Sequence, residues 1–229
     1  MKNSVFKNAS WIIACRIVQS ILSFIIGLIT ARYLGPSNYG IISYVASIVS
    51  FAMPIMQLGF NNTLVKEFIK CPDSEGKILG TSLVLNIISS IFCIIGSVSF
   101  VALVNDGKKE TILVCVLYSL TLLFHATEMT QYWFQSKLLS KYPSIAALCA
   151  YVVVSAYKIF LLVTQKNVVW FAFSQVLDFA LISVMQLLIY KKLGGQKLTF
   201  NWKLGKEMLS RSKYYIIPSF MVMIFHLFL

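Results

Sequence analysis

Seven long apolar runs, separated only by short polar joints, fill the 229-residue chain. Each is close to the ~20 apolar residues that carry a helix across a hydrocarbon core. The predicted spans are residues 10–30, 40–59, 79–104, 112–133, 144–164, 168–190 and 215 to the end. With 58% hydrophobic and 12% charged residues and a mean hydropathy of +0.79, the chain departs from soluble domains, in which about a quarter of residues are charged. The bilayer is its solvent. The seventh run stops at Phe228-Leu229 without a polar flank, so the chain reads as the front part of a longer protein.

Almost every run carries a polar stripe at helical spacing, which an inert anchor does not need, because polar groups in hydrocarbon are costly unless they face protein or water. The first has Arg16, Gln19, Ser20, Ser23, Gly27 and Thr30; the second Ser43, Ser47, Ser50, Pro54, Gln57 and Asn61. The third has Ser82, Asn86, Ser89, Ser90, Cys93 and Ser97; the fourth Thr121, His125, Glu128, Tyr132 and Gln135. Tyr151, Ser155 and Lys158 follow in the fifth, and Gln175, Asp178 and Gln186 in the sixth. Turned together, these stripes outline the interior of a transporter. For the third run, small residues at a tight helix contact are the better reading.

Four ionisable residues fall inside spans and are candidates for a substrate or ion pathway, the alternative being structural ion pairs. Asp178 is about 15 Å from either end of its helix, too deep to snorkel, whereas Arg16 lies about 9 Å in. Lys158 and Glu128 sit nearer the ends of theirs. His125, one turn before Glu128, makes a proton-responsive pair with it or is simply packed. Pro54 and Pro218 favour kinks, as hinges or as fixed bends. His226 is given no role.

The basic residues set an orientation. Fourteen (Lys2, Lys7, Lys66, Lys70, Lys77, Lys137, Lys141, Lys191, Lys192, Lys197, Lys203, Lys206, Arg211 and Lys213) fall on one side, and four (Arg32, Lys108, Lys109 and Lys166) on the other. The positive-inside rule then places the N-terminus in the cytoplasm of a plasma-membrane protein. The net charge of +12 thus reflects topology and anionic lipid headgroups, and no folded basic domain for nucleic acid is present. Arg16 and the absence of a small-residue cleavage site argue against a signal peptide. Five scattered cysteines without a CxxC pair indicate neither disulfides nor a metal site. No phosphate loop, metalloprotease motif or catalytic triad appears, so the chain reads as no enzyme and implies no cofactor. Any transport must then draw on an ion gradient, the membrane potential or consumption of the product.

Residues 191–214 mark the main boundary. Gly194-Gly195 is followed by a basic amphipathic stretch with Trp202, Leu204, Met208 and Leu209, either an interfacial helix or a solvated linker. The chain divides into a six-helix lobe over residues 1–190, a basic cytoplasmic linker over 191–214 and the start of a second lobe over 215–229, as in many transporters built from repeats.

The motif Thr30-Ala31-Arg32-Tyr33-Leu34-Gly35-Pro36-Ser37-Asn38-Tyr39-Gly40 joins the first two spans. Gly35-Pro36 stops one helix, and Tyr33 and Tyr39 suit the headgroup zone. TARYLGPSNYG resembles the signature of Wzx-type polysaccharide flippases of the MOP exporter superfamily, as do Leu58-Gly59-Phe60-Asn61-Asn62-Thr63-Leu64-Val65-Lys66-Glu67 and Leu79-Gly80-Thr81. The resemblance implies an all-α, MOP-like protein of 12 to 14 helices, of which this chain supplies six and part of a seventh. It implies flipping of an undecaprenyl-pyrophosphate-linked oligosaccharide by alternating access, for O-antigen, capsule or related surface polysaccharide, beside a polymerase and glycosyltransferases. Arg32, Gly35, Pro36, Tyr39 and Gly40 are then structural. Arg16, matching basic residues that attract the anionic carrier, is a substrate-binding candidate together with Gln19, Lys158 and Asp178. Glu128, His125 and Asp178 are candidates for ion coupling. A drug/cation antiporter of the same superfamily, and a non-transporting scaffold or remnant, stay open.

Overall fold

A computed structural model describes residues 2–105, 107–219 and 221, with side chains from Ser10 onward. The described residues form helices and turns without a strand. Five helices are long and apolar enough to cross a membrane. The first, α1 (Lys2–Met56), is broken at Gly35, whose φ of 69° and ψ of 173° lie outside helical space. A Cβ at Gly35 would meet open space, so glycine is required there by the backbone angle and not by crowding. Pro36 then opens the second arm with its preset φ. The two arms, residues 2–34 and 36–56, correspond to the first two predicted spans.

The short α2 (Leu64–Lys70) precedes α3 (Glu75–Val104). The predicted fourth span is divided: α4 (Lys109–His125) passes through a 3-10 turn, Ala126–Glu128, into α5 (Met129–Ser136). Then come α6 (Lys141–Val163), α7 (Val168–Lys192) and α8 (Trp202–Ser212). Most of the predicted seventh span, including His226, lies outside the described residues.

The loops separated by charge in the sequence lie at opposite ends of the bundle. At the sparsely charged end the Tyr33 hydroxyl donates to the Lys166 carbonyl at 3.1 Å, and its ring packs on Phe171. At the basic end Lys141 lies over the Trp11 ring, Lys137 pairs with Glu75, and Arg211 pairs with Glu67 at 2.9 Å. The Glu67 hydrogen bond and charge raise the Arg211 guanidinium further above its already high range.

Two apolar clusters hold the bundle. The central one joins Leu34, Val45, Val49, Val101, Val114, Leu122, Leu161 and Phe171. Within lipid its contribution is close packing and not escape from water. The second, at the basic end, joins Phe60, Leu64, Phe68, Leu79, Met129, Trp133, Phe134, Tyr190 and Met208. Lying beyond the span centres, it gains from water exclusion at about 25 cal/mol per Å², and it anchors α2, α5 and α8. The amphipathic stretch after Gly194-Gly195 includes a helix, α8, docked on the bundle by one face. Asn201 caps α8 by accepting from the Leu204 amide at 3.0 Å, and Gly205, Met208 and Ser212 are buried against the bundle.

The polar stripes converge only in part. Those of α4 through α7 face one another, but Ser20, Ser23, Ser43, Ser47 and Ser50 are exposed, because both arms of α1 lie at the edge of the bundle. The α3 stripe is packing: Ser82 donates to the Leu79 carbonyl, Asn86 to Ser82 and Ser90 to Ile87, all within the helix.

Candidate functional site

The first arm of α1 together with α5, α6, α7 and the 3-10 turn encloses a cavity of about 270 Å³ at the basic end. Its polar lining is Arg16 and Gln19 from α1, Glu128 from the turn, Gln131 and Gln135 from α5, Ser140 and Ser144 from α6 and its N-cap, and Gln186 from α7. Ile12, Cys15, Phe179 and Ile182 complete the walls. Glu128, the acidic residue of this lining, lies with Oε1 2.9 Å from His125 Nδ1, without the geometry of a hydrogen bond. Arg16 makes no ion pair among the described residues, so its five N–H donors remain free for an anion.

The break between α4 and α5 lies at one wall of this cavity. A 3-10 turn advances 120° per residue against 100° in an α-helix, so it rotates the phase of every side chain beyond it. Glu128, Gln131 and Gln135, spaced i, i+3 and i+7, share one face of α5 and the turn that leads into it. The turn is pinned to α7: Thr127 Oγ1 lies 2.6 Å from Ser183 Oγ, and Ser183 Oγ donates to the Phe124 carbonyl at 3.1 Å. The His125 ring packs tilted at 44° against Phe179 with centroids 3.9 Å apart, which places the imidazole beside Glu128.

Deeper in the bundle lies a second polar group. Asp178 of α7 is 5% exposed, and its Oδ1 has no hydrogen-bond partner among the described residues. Lys158 of α6 and His125 of α4 are close enough to act on its charge, while Lys158 Nζ donates to Gln175 Oε1 at 3.5 Å. Ser155 Oγ and Gln186 Oε1 are likewise buried without partners. Orphaned polar atoms of this kind cost free energy unless water or a ligand satisfies them.

The structure therefore gathers the sequence candidates into two adjoining groups. Arg16, Gln19 and Glu128 line the cavity, whereas Lys158 and Asp178 lie in the interior node, with His125 between them. Arg32, Gly35, Pro36, Tyr39 and Gly40 are at the opposite end, at the turn between the arms of α1.

Sequence reasoning missed Gln131, although three residues beyond Glu128 and four before Gln135 it shares their helix face. It also missed Glu75, to which it gave no role. Glu75 is 4% exposed, accepts from Trp133 Nε1 at 2.7 Å and pairs with Lys137. Gly76 and Gly80, one turn apart beside it, were the available sign of a smooth helix face approached closely by other backbone.

A family model described as polysaccharide biosynthesis protein matches residues 5–228 of the chain. No curated protein and no solved structure matches it significantly.

Proposed function

The chain belongs to the polysaccharide biosynthesis protein family, that of the Wzx-type flippases of the MOP superfamily, and on this premise we propose that it moves an undecaprenyl-pyrophosphate-linked oligosaccharide from the cytoplasmic to the outer leaflet of the bacterial plasma membrane. The family's members are transporters and not enzymes. The supporting observation is the composition of the cavity: four glutamine amides, Gln19, Gln131, Gln135 and Gln186, around one unpaired guanidinium. An amide offers both donors and acceptors, which suits sugar hydroxyls that need both. Arg16 supplies the forked, charge-assisted donors that suit a pyrophosphate. Because the cavity lies toward the basic end, the positive-inside asymmetry makes that its loading side in this reading. Asp178, His125 and Glu128 are the groups beside it that can respond to an ion gradient. A polymerase and glycosyltransferases of surface-polysaccharide assembly are the partners of this reading.

The orphaned carboxylate oxygen of Asp178 favours a second reading, export of a cationic drug by the same scaffold. Deleting the gene separates the two. We expect loss of surface glycan with the lipid-linked oligosaccharide accumulating in the membrane. Intact surface glycan together with lost tolerance to cationic dyes would establish the antiporter reading instead. In intact cells a cysteine at position 108 should react with an impermeant thiol reagent and one at 137 should not; the reverse pattern would invert the orientation.

A further inference from the structure

Where α7 leaves the bundle at the basic end, the chain folds back on itself as a strap. The Tyr190 hydroxyl donates to the Gln196 carbonyl at 2.8 Å, and Gln196 Nε2 donates to the Pro72 carbonyl at 3.0 Å. The Gly76 amide donates to Gln196 Oε1 at 3.0 Å, so the strap is fixed to the start of α3 as well. Between the strap and the last turns of α7 runs a groove of about 690 Å³. Val184, Leu187 and Leu188 of α7 and Leu198 of the strap form its walls, with Lys191 and Lys197 at its mouth. Val184 and Leu188 are more than half exposed, at 54% and 61%. No acidic residue lines the groove, and neither lysine has a carboxylate partner among the described residues.

We propose that this groove binds an anionic phospholipid of the adjoining leaflet, its phosphate between Lys191 and Lys197 and an acyl chain along Val184, Leu187 and Leu188. The register fits a lipid. At 1.5 Å per residue, Val184 to Lys191 covers about 10 Å along α7, enough to pass from acyl chain to headgroup. Exposed Trp202 follows in α8, and an amphipathic indole of this kind marks the interface. Any lipid can cover the apolar wall. Two unpaired lysines over it discriminate by headgroup charge, and a bare apolar groove does not. The site is separate from the glutamine-lined cavity and does not depend on what that cavity carries.

Native mass spectrometry of the purified full chain in detergent, with phosphatidylglycerol and phosphatidylcholine of identical chains, tests the assignment. The protein should retain phosphatidylglycerol about tenfold better. Lys191→Gln with Lys197→Gln should abolish the preference, Lys191→Arg with Lys197→Arg should keep it, and Lys108→Gln with Lys109→Gln at the opposite end should leave it intact. All four side chains are exposed, and circular dichroism verifies that each variant is folded. Equal retention of the two lipids, or a preference that survives the paired glutamine substitution, overturns the proposal. Displacement of phosphatidylglycerol by undecaprenyl pyrophosphate at lower concentration, lost in the glutamine pair, also overturns it and makes the groove part of a carrier path.

Discussion

Cells that carry only the Arg16→Ala variant should display about a hundredfold less surface glycan or none, at normal protein abundance, while Arg16→Lys should retain a measurable part. Arg16 lines the cavity without an ion-pair partner among the described residues, and Glu128 of the same lining lies beside His125 instead, at 2.9 Å. Its guanidinium is therefore available to the substrate and is not spent on the fold. Two hydrogen bonds to a charged group, at about 1.5–3 kcal/mol each, correspond to a hundredfold or more in occupancy. Lysine keeps the charge and loses the fork, hence the partial phenotype. Because the side chain is exposed in the cavity, alanine should leave folding intact. Normal display from Arg16→Ala at normal abundance would remove Arg16 from the substrate site.

The Gly80→Val variant should release the strap. A Cβ at Gly80 would stand 2.6 Å from the Thr199 carbonyl oxygen and 2.7 Å from its amide nitrogen, and backbone at that distance has to move. Overpacking of this sort costs about 1–3 kcal/mol. Each strap hydrogen bond lost with it, Thr199 to the Gly76 carbonyl at 3.2 Å and Asn201 to Thr81 Oγ1 at 3.1 Å, adds about 1 kcal/mol. Tryptic cleavage after Lys197 and Lys203 should accelerate at least tenfold at ~2 kcal/mol, with a lower melting temperature in detergent. Unchanged cleavage would mean that residues 196–201 are not held on α3.

The long helices were legible because the hydrocarbon core demands a fixed length of apolar sequence. The predicted 79–104, 144–164 and 168–190 differ from α3, α6 and α7 by at most four residues at any end. The break at Gly35 was legible from Gly-Pro chemistry alone. The change of winding at Ala126–Glu128 was not, since Phe124 to Trp133 contains no glycine or proline and the turn is imposed from outside by Ser183 of α7. The docking of the strap was illegible for the same reason: Gln196, Thr199 and Asn201 find their partners 120 residues or more away. Of the site, the ionisable residues announced themselves by their cost in lipid, but which of them share a cavity depends on how α1, α5, α6 and α7 pack together.

The central claim is that the cavity lined by Arg16 and its glutamines receives the sugar and pyrophosphate of a lipid-linked oligosaccharide. Site-specific photo-crosslinking in living cells tests it most directly. A benzophenone amino acid at Gln131, inside the cavity, is compared with one at Leu103, which is 82% exposed near the opposite end of α3. Irradiation should yield a glycan-bearing adduct from position 131 that disappears in cells unable to make the oligosaccharide, and none from position 103. No glycan adduct at position 131 in cells with abundant substrate, or one at 103 of equal yield, would contradict the assignment of this cavity to the oligosaccharide.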